Sequence, residues 1–170
     1  MSDNKADGEI RRATNPYAAA LGDRDTLAAL IETPERIAAI VAGFTPGQYA
    51  SSYAPGKWSA AELFLHLAQT ELAFGMRVRM ALTSDHYVVQ PFDQDAWMAR
   101  ERPASGPEAF QAYYALRQFN LPLYRSLSAD DRQRRLTHPE RGEMVVQMIL
   151  DAQAGHELHH LKHFETIAKG

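Results

Sequence analysis

The sequence has no cysteine in its 170 residues. This absence excludes disulfide bridges, cysteine-ligated zinc and a thiolate nucleophile supplied by the chain itself. A long lysine or arginine run is also missing and the net charge is −3, which argues against a nucleic-acid-binding or membrane-surface protein. No stretch approaches the ~20 apolar residues of a membrane span, and the opening MSDNKADGEIRR is polar where a signal peptide would be apolar. We therefore expect a cytoplasmic protein that binds neither nucleic acid nor a membrane.

The chain is long enough to form one domain with its own hydrophobic core. We divide it into a polar N-terminal lead-in, residues 1–22, and a single domain, residues 23–170. Hydrophobic residues make up 45% of the chain, which is ordinary for a globular domain, so no unusual class is indicated.

Apolar residues at helical spacing predict four main helices. We expect an interruption of the first at Thr33-Pro34, where threonine would cap a restarted helix, and a capping box of Ser59 and Glu62 at the start of the second. THPERG, residues 137–142, indicates a loop. The expected helices cover residues 24–43, 59–83, 106–127 and 143–169. With no set of alternating strands, the fold class is all-α, a four-helix bundle with long crossover loops.

Histidines are concentrated in the last predicted helix, where four of the seven in the chain fall between His156 and His163. At ~100° per residue, His156 and His160 lie one turn apart on the face that also carries the apolar residues. Two imidazoles at i and i+4 can bind one metal ion from a single helix. His159 and His163 have the same spacing and remain an alternative pair, or His163 acts behind the ligands as a hydrogen-bond partner.

HELHH, residues 156–160, also spells the H-E-x-x-H of zinc proteases, which is a minor alternative. The extended protease pattern requires glycine at 163 and histidine at 166, whereas this chain has His163 and Thr166. The helical wheel turns Glu157 roughly 100° from His156. We therefore expect Glu157 to be a surface charge, paired with Lys162 or Arg141, and not a general base.

A third ligand has to come from upstream, and His66 in the second helix is the best candidate. It lies on a polar strip between two apolar walls, which suits a cleft with a water-bearing ion at its base better than a dry core. A hydrogen-bonded core histidine is the alternative reading of His66. The candidate substrate-cleft residues are Glu62, Gln69 and Thr70 from this strip and Asp93 from a loop, although Asp93 also has the position of a helix cap.

Three segments carry a resemblance to a known family: GKWSAAELFLHLAQTE at 56–71, PFDQDAW at 91–97 and HPERGEMVVQMILDAQAGHELHHLKHFETI at 138–167. In this order they resemble the DinB/YfiT-like superfamily, four-helix bundles with a three-histidine metal site. The W-S-x-x-E-x-x-x-H-L motif of that family ends here in His66 and Leu67, and its H-x-x-x-H motif is His156 and His160. The family usually has glutamine three residues later, where this chain has His163, and this departure leaves the role of His163 open.

The resemblance implies a divalent ion held by His66, His156 and His160, with open positions for water or substrate. Three imidazoles do not select between zinc, nickel, iron and manganese. We expect a metal-dependent enzyme for a small-molecule substrate, either a hydrolase or an S-transferase that uses a small-molecule thiol cosubstrate, since the chain has no thiol of its own. A non-catalytic metal-containing binding or stress-response protein is the alternative, because no general base is evident and the catalytic residue is unknown. A homodimer is a further expectation, which no residue pattern tests.

Overall fold

A computed structural model describes residues 15–102 and 105–170 of the chain. In these ranges the chain forms eight helices and three short strands. The helices are α1 (Ala18–Leu21), α2 (Thr26–Val41), α3 (Pro46–Ala50), α4 (Ala60–Thr83), α5 (Gln94–Arg100), α6 (Gly106–Ser126), α7 (Ala129–Arg132) and α8 (Val146–Lys169). The strands are β1 (Tyr87–Val88), β2 (Arg135–His138) and β3 (Gly142–Val145).

The four long helices α2, α4, α6 and α8 form the bundle. α4 packs mainly on α6, and α2 packs mainly on α8, while α4 also contacts α8 and α2 contacts α6. The order around the bundle is therefore α2, α8, α4, α6, and α4 lies beside α8. The predicted all-α four-helix bundle is confirmed. No helix within the described ranges has both the length and the apolar character needed to cross a bilayer.

Local sequence signals set the starts of α4 and α6. The Ser59 side chain accepts a hydrogen bond from the backbone N–H of Glu62, and the Glu62 carboxylate accepts one from the backbone N–H of Ser59, so the predicted capping box starts α4. Ser105 caps α6 in the same way by accepting from the backbone N–H of Glu108. These caps fix the start of each helix and hence the register of the side chains that follow.

The predicted interruption at Thr33-Pro34 is wrong, because α2 runs without a break from Thr26 to Val41 with Pro34 inside it. Proline has no N–H, so the carbonyl of Leu30, four residues earlier, loses its helical partner. The Nη1 of Arg117, on α6, donates to this carbonyl at 2.7 Å. A buried guanidinium therefore replaces the missing backbone bond and lets the helix continue.

The loop expected at residues 137–142 is instead part of a small sheet. β2 pairs with β3 in an antiparallel hairpin and with β1 in parallel. Gly142, with a φ of 75°, allows the hairpin to turn. The sheet buries His138, with 6% of its surface exposed, and holds Glu140 and Arg141 beside the bundle.

The N-terminal segment from residue 15 to residue 21 packs on α8. Tyr17 contacts the His156 ring edge-on, with 4.9 Å between ring centres, and Leu21 is buried. This approach requires Gly155, since a Cβ there would lie 2.6 Å from the carbonyl oxygen of Tyr17. Residues 1–14 of the predicted lead-in lie outside the described residues, and the division at residue 22 stays a prediction.

Candidate metal centre

The three predicted ligands meet between α4 and α8. The Nε2 atom of His156 lies 2.9 Å from Nε2 of His66 and 2.9 Å from Nε2 of His160. One donor nitrogen from each of these three rings falls within 4.8 Å of the others. The convergence follows from helical geometry, because His156 and His160 lie one turn apart on α8 and face the neighbouring α4.

Burial keeps these imidazoles neutral. It lowers the pKa of His66 to about 4 and the pKa values of His156 and His160 well below 6.5, and proximity to other histidines adds to the shift at His156 and His160. Neutral imidazole is the form that binds a metal ion, so the site is ready for one at neutral pH.

The spacing of the nitrogens fits a metal ion better than a hydrogen-bonded triad. Nε2 of His156 can donate one hydrogen bond or accept one, so protons alone leave one of its two close contacts without a hydrogen bond. Metal–nitrogen bonds of ~2.0–2.1 Å give separations of about 2.9 Å at octahedral angles and about 3.3 Å at tetrahedral angles. The observed 2.9 Å separations are close to these values.

The far side of each ring differs between the helices. Nδ1 of His160 lies 3.2 Å from Nδ1 of His163, and the His163 ring stacks on Tyr53 with 3.7 Å between ring centres. Nδ1 of His66 is buried and has no hydrogen-bond partner among the described residues, and this ring packs instead against Trp58 at 4.9 Å. His163 is thus placed to accept a hydrogen bond from Nδ1–H of His160, which directs the lone pair on Nε2 of His160 toward the other histidines.

A second group of donor atoms consists of His159, His160 and His163, again within 4.8 Å of one another. His160 belongs to both groups, so its ring joins the buried site to the protein surface. His159 is exposed, and its ring lies 5.6 Å from Tyr17. The alternative pair of the sequence reading is therefore close in space, but it lies nearer the solvent than the buried three-histidine group.

A polar pocket of about 170 Å³ opens onto His66 and His156. Its wall combines residues of α4 and α8 with the N-terminal segment, the β2–β3 hairpin and the segment before α5. Residues that line it besides the two histidines include Tyr17, Thr70, Phe74, Arg77, Phe92, His138, Glu140 and Arg141. The bundle therefore supplies the floor of the pocket, and the connecting segments supply its rim.

Of the four predicted cleft residues, only Thr70 lines this pocket. Glu62 is engaged in its capping box and borders a separate, larger groove of about 900 Å³. Gln69 is buried and donates to the Glu101 carboxylate at 2.9 Å. Asp93 caps α5 by accepting from the backbone N–H of Ala96, which was the alternative for this residue.

The expectation of a surface position for Glu157 is wrong. Only 1% of its side chain is exposed, and one carboxylate oxygen lies 2.8 Å from Nη1 of Arg117. The hydroxyl of Tyr113 donates to the other oxygen. Burial raises the pKa of Glu157 to about 7, and the positive charge of Arg117 opposes that rise. The carboxylate thus faces α6, away from the three histidines, and the geometry gives the protease alternative no general base.

Arg117 connects all four bundle helices. Besides Glu157 on α8 and the Leu30 carbonyl on α2, its Nη2 contacts Oε1 of Glu71 on α4 at 2.6 Å. Glu71 also accepts from Gln153 at 2.7 Å. Buried charges are tolerated when they are paired and hydrogen-bonded as these are. The network holds α4 and α8 together beside the histidines, since Glu157 directly follows His156 in the sequence.

Sequence reasoning missed several residues of the site. Arg117 carried a signal, because it is a charged residue on the apolar stripe of α6 that includes Tyr113, Leu121 and Tyr124. Tyr17, His138 and Arg141 gave none, since they come from the segments outside the bundle and no periodicity relates them to the histidines.

Comparison with known proteins gives a consistent picture. A DinB superfamily model matches residues 29–164. A protein of Oceanobacillus iheyensis named as a "putative metal-dependent hydrolase" is 28% identical over 123 residues, which is 72% of each chain. YfiT of Bacillus subtilis, which has the same description, is 23% identical over 143 residues, covering 82% of this chain and 80% of its own.

The solved structure of YfiT from Bacillus subtilis, described as a probable metal-dependent hydrolase with an unusual four-helix bundle topology, resembles the fold with a TM-score of 0.75. The two chains are 22% identical, and the match covers 85% of this chain and 84% of that one, so this likeness supports the fold alone. The family match spans most of the bundle and both histidine motifs. The chain belongs to the DinB superfamily.

Proposed function

We propose that this protein is a metal-dependent hydrolase for a small-molecule substrate and that His66, His156 and His160 bind its divalent ion. The observation that carries the proposal is the convergence of three buried Nε2 atoms, 2.9 Å apart in two of the three pairs, where two of the three rings line a polar pocket. The description of relatives as metal-dependent hydrolases supports the reaction class.

When bound, the ion would supply Lewis acidity, which polarises a carbonyl group or activates water near neutral pH. The residues of the chain hold and orient it. Burial keeps the three rings in their neutral form, and His163 fixes the tautomer of His160 by accepting from Nδ1. Tyr17, Phe74 and Phe92 line the approach and limit the access of bulk water to the floor.

Thiol transfer is a second candidate for the same site, with a small-molecule thiol as cosubstrate. The sequence has no cysteine, so such a thiol would have to come from solution. The large groove of about 900 Å³ beside Tyr49 and Glu62 provides a volume that suits a cosubstrate, although none of the three histidines lines it. We place hydrolysis first because the relatives are named for it.

The ligand assignment is tested by metal content. His66→Ala, His156→Ala and His160→Ala should each abolish stoichiometric binding of zinc or nickel, measured by elemental analysis of untagged protein. His86→Ala is the matched control, because His86 is exposed and belongs to neither histidine group, and it should keep full occupancy. Full occupancy in His66→Ala would overturn the three-histidine site.

The reaction is tested with metal-loaded protein against panels of esters, amides and thiol–electrophile pairs. Turnover that chelation removes and added metal restores supports an enzyme, and the panel that responds separates hydrolysis from thiol transfer. Full metal occupancy without turnover on any panel favours a non-catalytic metal-containing binding protein. A cytoplasmic location and a homodimer remain proposals from the sequence.

A further inference from the structure

Arg77 is a buried positive charge in the pocket beside the histidines. Only 7% of its surface is exposed. Within residues 15–102 and 105–170 the guanidinium forms no ion pair, and its one hydrogen bond goes from Nη2 to the carbonyl of Gln90 at 3.3 Å. Arginine has five N–H donors and stays charged at any physiological pH. Most of its donors are therefore left for a partner in the pocket.

Burying a charge without a counter-charge is costly, and folded proteins normally pair such groups. The other buried arginine of the described ranges, Arg117, follows this rule with two glutamates. Within the same ranges Arg77 has no such ion pair. Burial lowers its pKa, but the pKa of arginine is so high to begin with that the guanidinium stays charged. A bound anion would provide the missing counter-charge.

The rest of the pocket rim favours the same kind of partner. Arg141 adds a second positive charge, against one carboxylate, the exposed Glu140. Nδ1 of His138 accepts a hydrogen bond from the backbone N–H of Glu140 at 3.2 Å, so its ring proton is on Nε2. Arg77, Arg141 and His138 are therefore all donors, which suits a ligand group that is rich in acceptors.

Arg77 and the metal-site histidine of α4 share one stripe of that helix. His66, Thr70, Phe74 and Arg77 follow at intervals of four, four and three residues, and all four line the pocket. The guanidinium carbon lies 5.5 Å from the centre of the Phe74 ring, so the side chain leans back toward His66. Along the helix, His66 and Arg77 are about three turns or roughly 16 Å apart, and this lean shortens the distance between the guanidinium and the imidazole. A small molecule can span that distance.

We propose that this pocket is an anion-binding subsite in which Arg77, assisted by Arg141 and His138, binds a carboxylate or phosphate group of the substrate. The ligand is then a small anionic molecule whose reacting bond lies at the histidines and whose charged oxygens lie at Arg77. The identification of this ligand as the substrate rests on the proposed hydrolase function. The anion subsite itself does not need the metal ion.

The test uses the full chain, freed of metal by chelation and dialysis, in a buffer of low ionic strength. Propionate, inorganic phosphate and the neutral isostere propionamide are titrated, and dissociation constants are measured from ligand line broadening in NMR spectra. We expect propionate or phosphate to bind the parent at least ten-fold more tightly than it binds Arg77→Met. Propionamide should bind neither protein measurably. Arg141→Met should weaken the same anion by a smaller factor.

Arg79→Met is the matched control, because it removes the same charge from the same helix at a residue outside the pocket, and it should bind like the parent. If Arg77→Met does not fold, Arg77→Gln replaces it with the same expectation. Whichever anion binds identifies the group. Equal binding by the parent and the Arg77 variant, equal binding of propionamide, or no binding of either anion would overturn the subsite.

The titration of metal-free protein tests the anion subsite independently of the proposed hydrolase function. If anions bind through Arg77 but the metal-loaded protein shows no turnover, the subsite is supported and the hydrolase function is contradicted. With metal-loaded protein that does turn over, the kcat/KM for an anionic ester should exceed that for its neutral counterpart, and Arg77→Met should abolish the preference. Turnover without such a preference removes the subsite and leaves the hydrolase.

Discussion

Arg117 donates to the carbonyl oxygen of Leu30 at 2.7 Å, the carbonyl that Pro34 leaves without a helical partner. One buried side chain thus satisfies the unpaired carbonyl of α2 and forms ion pairs with carboxylates of α4 and α8. We expect Arg117→Met to lower the free energy of unfolding by about 3–5 kcal/mol, since it leaves two buried carboxylates without a positive counter-charge. Urea denaturation followed by circular dichroism measures this.

The control for Arg117→Met is Arg36→Met, which removes the exposed ion pair with Glu165. An exposed pair contributes at most about 1 kcal/mol, so this variant should unfold close to the parent. Similar losses of stability in both variants would contradict the role of Arg117 as the connection between the four helices.

Glu157→Gln should affect stability and leave metal binding intact. The amide keeps one acceptor oxygen for Arg117, and its NH2 group can donate to the Tyr113 hydroxyl, but the charge is removed, so a loss of about 1–3 kcal/mol is expected, the cost of weakening a charged hydrogen bond. Because the side chain faces α6, zinc content and any hydrolytic or thiol-transfer activity should stay within a few-fold of the parent. A variant that keeps its metal but loses activity by ~10³-fold would instead give Glu157 a catalytic role.

The metal-free protein should lose stability in mild acid. Burial lowers the pKa of His66 to about 4 from 6.5, so between these values the folded protein binds fewer protons than the unfolded chain. The contribution of His66 to the free energy of unfolding is complete above pH 6.5. It is lost as the pH falls toward 4, and this loss amounts to about 3 kcal/mol for His66 alone. Urea unfolding at pH 7 and pH 4.5 measures the slope, and His66→Gln should reduce it. An unchanged slope in that variant would show that His66 is protonated or exposed when metal is absent.

Gly155→Ala should displace the N-terminal segment. The added Cβ would lie 2.6 Å from the carbonyl oxygen of Tyr17, which has to move. Overpacking of this kind costs about 1–3 kcal/mol, and the better helix propensity of alanine offsets up to about 1 kcal/mol of it. Thermal unfolding measures the net loss. Gly43→Ala is the control, since nothing lies within 4 Å of its Cβ position, and it should change stability little.

The sequence predicted the parts of the site that periodicity governs. His156 and His160 share a face because α8 is a regular helix, and His66 joins them because α4 is its neighbour in the bundle. The burial of Glu157 could not be predicted in this way. A helical wheel gives the direction of a side chain relative to its own helix, but the partner that makes burial tolerable, Arg117, belongs to another helix.

The same limit explains the other differences. Pro34 was expected to interrupt the first helix. The donor that replaces its missing N–H, Arg117, is 83 residues away in sequence, so no local pattern could predict that the helix continues. His138 was expected in a loop, because two strands of four residues each carry too little alternation to be recognised. Local signals such as the capping box of Ser59 and Glu62 were read correctly because both partners lie within one turn.

Tyr17 lies on the wall of the pocket, and the part of the chain that matches the superfamily starts at residue 29. The bundle can therefore keep its histidines while a piece of chain outside the shared region varies in length and composition. Substrate preference in such an arrangement can diverge through the N-terminal segment alone, without a change in the bundle core. For the proposed hydrolase, a chimaera that exchanges only residues 15–21 with those of a relative should transfer the substrate preference along with the segment.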